Sequence, residues 1–228
     1  MQMCDKFLII KGVAVIEFET VIKTRRSVRK FTNQYVPNEL LLKAVELATY
    51  ASNGGNYQPW KFIIVRNKQI IIRMADEVQK KVDLIASWPE ASKYGETMER
   101  YCKNTTFFRY APVVIAVCGK TYQSVADKVL NERKNDQAAA EMIAYRKIGN
   151  SRTQSVAAAT ENLVLALHYL GLGACWMNGP LLAKKEIEAM IFTGDEYELL
   201  ALVPIGYQAE HPELKSRKPV TEVVKIID

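Results

Sequence analysis

The stretch Thr153-Gln-Ser-Val-Ala-Ala-Ala-Thr-Glu-Asn-Leu-Val-Leu-Ala-Leu-His-Tyr-Leu170 decides the fold class. Val156, Ala157, Ala158, Ala159, Leu163, Val164, Leu165, Ala166, Leu167 and Leu170 leave almost no polar face at helical spacing. A helix that is apolar all round is a buried helix, at a core or a subunit interface. Gly171 supplies its stop, because glycine enters the left-handed conformation that ends a helix without steric cost. Outward from this helix, Pro112-Val-Val-Ile-Ala-Val-Cys118 reads as a buried central strand. Trp60-Lys-Phe-Ile-Ile-Val65 and Leu199-Leu-Ala-Leu-Val203 are further strands. Pro37 opens a helix with a broad apolar face of Leu40, Leu41, Ala44, Val45, Leu47, Ala48 and Ala51. Amphipathic helices are expected over 68–86 and 184–191. Strands and helices alternate, which gives a layered α/β or α+β domain.

No repeat, low-complexity segment or Pro/Gly/Ser-rich linker divides the 228 residues, so residues 1–228 read as one domain. A chain of this length buries roughly 70% of its unfolded surface and needs no disulfide or metal to hold a core. Cys4, Cys102, Cys118 and Cys175 lie far apart, without a CxxC pair, and read as reduced thiols with no zinc or iron–sulfur framework. The net charge is +6, but the 31 Lys and Arg are interspersed with 25 Asp and Glu, which argues against a nucleic-acid binder and suits a protein with phosphorylated ligands. The apolar run from Phe7 to Phe18 is interrupted by Lys11 and Glu17, too short and too charged for a membrane span. A cytoplasmic protein with no membrane, nucleic-acid or metal partner is expected.

Four constellations carry chemistry. Arg25-Arg26-Ser27-Val28-Arg29-Lys30 combines guanidinium forks with a hydroxyl, the donors a phosphate monoester needs. Ser52-Asn-Gly-Gly-Asn-Tyr-Gln-Pro-Trp60 offers amides that read a heterocycle edge, and glycines that let backbone approach a flat ligand. Gly171-Leu-Gly-Ala-Cys-Trp-Met-Asn-Gly-Pro180 is a small-residue loop able to present backbone N–H groups. Lys215-Ser-Arg-Lys-Pro219 is a second cationic cluster. Each alone also fits an ordinary solvated face or turn.

In this order and spacing, the four motifs resemble the nitroreductase family of flavoproteins, over roughly 23 to 224. The resemblance implies an α+β three-layer sandwich, a central mostly antiparallel sheet flanked by helices, in a domain-swapped homodimer with FMN in two clefts at the subunit interface. Residues 1–20 would be an N-terminal extension, 85–150 a variable lid or helical region, and 208–228 a C-terminal arm wrapping the partner. By the same resemblance, Arg25, Ser27, Lys215 and Arg217 would hold the FMN phosphate with Arg26 beside them. Arg29 would reach the N1/O2 edge of the ring. Asn56 would bond the pyrimidine edge, with Ser52 and Asn53 contributed by the partner chain. Trp176, Met177, Asn178 and Gly179 would line the ring.

The implied activity is reduction of nitroaromatics, quinones or similar flat acceptors at the expense of NAD(P)H, in a two-step cycle. Other reactions on the same flavin, dehydrogenation or flavin breakdown, and a non-catalytic flavin sensor are the alternatives. The flavin carries the chemistry, so no side chain is assigned as a catalytic acid or base. His168 and Glu161, on the apolar helix, read as a satisfied structural histidine and a paired carboxylate. Phe107 and Phe108, among the aromatics of 88–110, fall where the family varies its substrate lid. Tyr50-Ala51-Ser52 departs from relatives that place a proline before the serine. No Glu/Tyr/Lys lid triad of the dehalogenating branch is evident, which sets that branch aside.

Overall fold

The computed structural model describes residues 7–10 and 13–227. Two short strands, β1 (Phe7–Ile10) and β2 (Val13–Ile16), pair antiparallel with Phe7 opposite Ile16 and lead into α1 (Phe18–Thr24). The apolar N-terminal run is therefore a hairpin; Lys11, which interrupts it, and Cys4 lie outside the described residues. The chain continues through α2 (Asn38–Ala48), β3 (Trp60–Val65), α3 (Lys68–Ser87), α4 (Gly95–Thr106) and β4 (Val113–Lys120). It then runs through α5 (Val125–Glu132), α6 (Gln137–Gly149), α7 (Ser151–Tyr169), β5 (Gly173–Ala174), α8 (Lys184–Ile191), β6 (Tyr197–Gly206) and α9 (Val220–Val223).

The sheet has the order β3-β4-β6-β5, with every neighbouring pair antiparallel. Its central strand β4 is the apolar run of the sequence, buried from Val113 to Gly119. Alternate residues of a strand face opposite ways, and this sheet uses both faces. Ile115, Val117, Val203 and Ile205 pack against α2 and α7, whereas Val114, Ala116, Cys118 and Leu202 pack against α3 and α8. The result is the expected three-layer α+β sandwich. Helix α3 places Ile71, Met74, Ala75, Val78 and Val82 on one buried stripe, and its first turn is capped by Asn67, whose side chain accepts from the N–H groups of Gln69 and Ile70.

Helix α7 buries Val156, Ala159, Thr160, Leu163, Val164 and Leu167, while Ala158 and Leu165 are half-buried and Glu161 and Tyr169 exposed. Within one chain it is thus covered on one side, not all round as the sequence suggested. It ends in a Schellman turn: the Leu172 N–H donates to Leu167 O at 2.9 Å, the Gly171 N–H to His168 O at 3.0 Å, and Gly171 has φ +79°. The α5–α6 hairpin stands off the body and leaves Val125, Val129, Met142, Tyr145 and Ile148 exposed. The C-terminal arm pairs with the body near its root and is exposed from 213 onward, Leu214, Val220, Val223, Ile226 and Ile227 included.

Candidate functional site

Past the Schellman turn the chain enters β5 at the sheet edge, and the basic segment after α1 docks onto it. Ser27 bridges Ala174 in parallel, and the Val28 N–H donates to Ala174 O at 3.0 Å. A Cβ at Gly173 would stand 2.9 Å from Val28 Cγ1, so the second glycine of Gly-Leu-Gly is what lets the basic segment lie against the edge. The root of the arm clamps the next residues. Glu210 Oε1 accepts from the Arg29 N–H at 2.6 Å and the Lys30 N–H at 3.2 Å. The Ala209 N–H donates to Lys30 O at 2.9 Å and the Thr32 N–H to Tyr207 O at 2.8 Å.

These contacts enclose a cavity of about 140 Å³ whose polar wall is Thr24, Arg25, Arg26, His168, Gln208 and His211, over a floor of Val28, Val164 and Leu172. Its electrostatics are positive. Arg25 has one long ion pair, Nε to Glu161 Oε1 at 3.7 Å. Arg26 donates to Lys23 O at 2.9 Å, and its buried Nε has no partner. Burial, followed by the charges of Arg25 and Arg26, holds His168 below the ordinary imidazole value. Ser27 sits beside the buried Cys175 thiol, which burial pushes up against the opposing influence of Arg29 and Ser27.

The other sequence-nominated residues are distributed as follows. Arg25, Arg26 and Ser27 are together at the β5 edge, and Arg29 follows them with its guanidinium 6.0 Å from the Phe107 ring. Lys215 and Arg217 lie further along the exposed arm and do not line the cavity. Trp176 is half-buried, with its Nε1 buried and unpartnered. Met177 is buried in the layer under α3 and α8, with its N–H and carbonyl both bonded to Leu202. Asn178 is exposed, and Gly179 packs so tightly on α4 that a Cβ would meet Thr105 Cγ2 at 2.9 Å.

Ser52, Asn53 and Asn56 are at the opposite end of the sheet. Trp60 pairs with Gly119, whereas β5 joins β6 beside Val113. Six residue steps along β4, from Val113 to Gly119, at ~3.3 Å each separate the two ends by about 20 Å. The loop is tightly wound, with positive φ at Gly55, Asn56 and Gln58. Asn53 braces it: its Oδ1 accepts from the Gln58 N–H at 2.8 Å, and its Nδ2 donates to Ala51 O at 3.2 Å. Tyr57 and Tyr122 rings lie 4.9 Å apart, which ties the loop to the start of the α5–α6 excursion. Within one chain, this loop and the basic cavity do not meet.

Phe108 is fully buried beneath α3, and Phe107 is half-buried in the same layer. A groove of about 810 Å³ opens instead under the α5–α6 hairpin, with Tyr122, Tyr145, Arg146 and Arg152 among its walls. Sequence reasoning missed His168, Thr24 and Glu210 as site residues. For His168 a signal was available: it falls seven residues after Glu161, in an otherwise apolar stretch, so both polar groups share a stripe. No group of three or more metal-ligating side chains occurs among the described residues, and no described helix is long and apolar enough to cross a membrane.

Residues 22–207 match the family model described as "Nitroreductase family". A solved BluB-like flavoprotein from Clostridium difficile 630 is 32% identical, superimposes with a TM-score of 0.81, and is matched over 93% of this chain and 100% of its own. A protein of Methanothermobacter thermautotrophicus provisionally named an NADH dehydrogenase/NAD(P)H nitroreductase is 29% identical over 202 residues, 88% of this chain and 82% of its own. An iodotyrosine deiodinase of Hydra vulgaris is 24% identical over 213 residues, 91% of this chain and 72% of its own.

Proposed function

Since the chain belongs to the nitroreductase family, we propose that it is an FMN-dependent oxidoreductase, active as a homodimer, that passes two electrons from NAD(P)H to nitroaromatics, quinones or other flat acceptors. The observation that carries this reading is the small cationic cavity beside β5. About 140 Å³ with two half-buried guanidiniums and an unpartnered Arg26 Nε suits one phosphoryl group. The donor set therefore fits a mononucleotide flavin. Arg25, Arg26 and Ser27 would hold the phosphate, with Lys215 and Arg217 closing over it from the arm.

FMN bound there supplies the hydride chemistry, and the protein supplies position and charge. Arg29, held at its backbone by Glu210, would present a cation to the ring edge and favour negative charge on it. Trp176 offers an indole N–H that has no partner of its own. Because the Ser52–Asn56 loop lies about 20 Å from the cavity's end of the sheet, its amides would serve the flavin of the partner subunit. The α5–α6 hairpin, exposed on its apolar side and attached beside that loop, would then roof the same cleft and exclude water from it.

The test is the visible spectrum of the purified protein and of its Arg25→Ala/Arg217→Ala variant. Flavin bands in the first and their loss in the second are expected; a colourless protein that takes up no FMN overturns the reading. Rapid mixing with NADH and with NADPH then identifies the donor, and failure of both to bleach the flavin removes the NAD(P)H-driven version. A second reading, reductive dehalogenation of an iodinated phenol, is favoured by one observation. Tyr145 on α6 donates to Glu141 one turn before it, with Lys147 following on the same exposed helix. Two of the residue types of a dehalogenating lid thus stand together where the sequence alone showed no triad. Iodide release from iodotyrosine would favour this reading over the first.

A further inference from the structure

We propose that His168 is a further anchor for the phosphate end of the flavin, holding a phosphoryl oxygen through Nδ1 beside Arg25 and Arg26 and taking up a proton as the phosphate binds. The inference rests on reading the cavity as the seat of the FMN phosphate.

The geometry fixes which nitrogen is available. Thr24 Oγ1 lies 2.6 Å from Thr20 O and 2.8 Å from His168 Nε2. A hydroxyl has one proton to give, and here it goes to the Thr20 carbonyl. The Thr24 oxygen must then accept from Nε2–H, which orients the ring and leaves Nδ1 without a hydrogen-bond partner among the described residues. The ring lines the same cavity as Arg25 and Arg26. An unprotonated Nδ1 has only a lone pair and would face a phosphate oxygen with like charge density, so it can hold that oxygen only as N–H.

The groups around the ring set the sign. Thr24 faces it from α1, Arg25 and Arg26 from the segment after α1, and His211 from the arm, while Glu161 on α7 itself is occupied with Arg25. Without an anion, burial and then the two arginines hold His168 below the ordinary imidazole value. A phosphate dianion set between the same arginines opposes their effect and raises the folded-state value. Binding therefore takes up a proton between the two values, and affinity falls as pH rises through that window.

The test titrates FMN and riboflavin into the flavin-free full-length protein, wild type and His168→Gln, at about pH 6 and about pH 8, either side of the imidazole range. The phosphate's own ionisation near pH 6 acts in both proteins, so the ratio of their affinities isolates the histidine. An upward shift of one unit predicts that H168Q binds FMN several-fold, at most about tenfold, more weakly than wild type at the lower pH, with the gap closing at the higher. Calorimetry of the wild type at about pH 7, where the free phosphate is already mostly dianionic, in two buffers of different ionisation heat reads the proton uptake directly, whether or not the variant folds well. An equal ratio at both pH values, or wild-type binding with no proton uptake, overturns the role of His168. Riboflavin bound as tightly as FMN would instead overturn the phosphate reading of the cavity, which is a separate result.

Discussion

At the scale of single residues, contacts between distant parts of the chain decide the candidate site. A methyl group added at Gly173 would meet Val28 Cγ1 at 2.9 Å and push the basic segment off the edge of the sheet. Overpacking of this kind costs about 1–3 kcal/mol. Gly173→Ala is expected to lower the melting temperature by several degrees and to weaken flavin retention, both readable in one thermal scan with and without FMN. Glu210 is the counterpart from the other side. Removing the carboxylate in Glu210→Ala leaves the exposed N–H groups of Arg29 and Lys30 to water, a loss of about 0.5–1.5 kcal/mol. Weaker FMN binding with an unchanged circular dichroism spectrum is the expected outcome, and unchanged binding would reduce the clamp to local packing. Cys118 gives an independent check on the core: burial pushes its thiol up to about 12, so it should resist a thiol reagent at about pH 8 until the protein is denatured. Arg25 and Ser27 were legible in the sequence because phosphate chemistry prefers their residue types. Glu210 was not, since its role exists only where 181 positions of chain fold back on themselves.

At the scale of elements, legibility followed the strength of the apolar pattern. β3 and α3 fall within a residue or so of their expected ends because apolar period and turn residues agree there. The α5–α6 hairpin falls only within the broad variable region of 85–150, since α6 has almost no buried side chains to impose a pattern. Aromatic density drew the lid to 88–110 instead, although Phe108 points into the core. What holds the hairpin is electrostatic: Ser124 and Asp127 form a capping box at α5, and Asp127 also binds Arg146 of α6. The Arg146 hydrogen bonds, then that of Ser124, hold the Asp127 carboxyl well below the usual carboxylate range. A depressed folded-state value contributes stability that is complete above the unfolded value of about 3.9 and is lost as pH falls through the folded one. Asp127→Asn should therefore loosen the hairpin at neutral pH in the way strong acid does in the wild type. Hydrogen exchange is expected to speed up over 125–149 and to stay slow over 151–169; equal protection in variant and wild type would show that packing, not this ion pair, holds the hairpin.

At the scale of the whole molecule, the order of four motifs along the chain identified the family, but their distance in space was not readable from that order. The cavity at Arg25 and the amide loop at Ser52–Asn56 sit at opposite ends of β4, about 20 Å apart at strand spacing. Within one chain the two groups therefore do not meet. The surface asks for a second copy: Phe18, Ile22, Leu214, Val220, Val223, Ile226 and Ile227 are exposed, and burying each large aliphatic of this set is worth about 1.5–3 kcal/mol. A homodimer that covers this surface would bring the cavity of one subunit to the loop of the other. Mixed dimers test the arrangement. Pair an Arg25→Ala/Arg217→Ala chain with an Asn53→Ala/Asn56→Ala chain, each flavin-free as its own homodimer. If the sites are shared, one cleft of the mixed dimer joins two damaged halves and the other joins two intact ones. The hybrid, isolated through two different affinity tags, is then expected to bind one FMN per dimer. If each site were built within one chain, both clefts of the hybrid would carry a lesion and no flavin would bind, so one stoichiometric measurement decides between the two architectures.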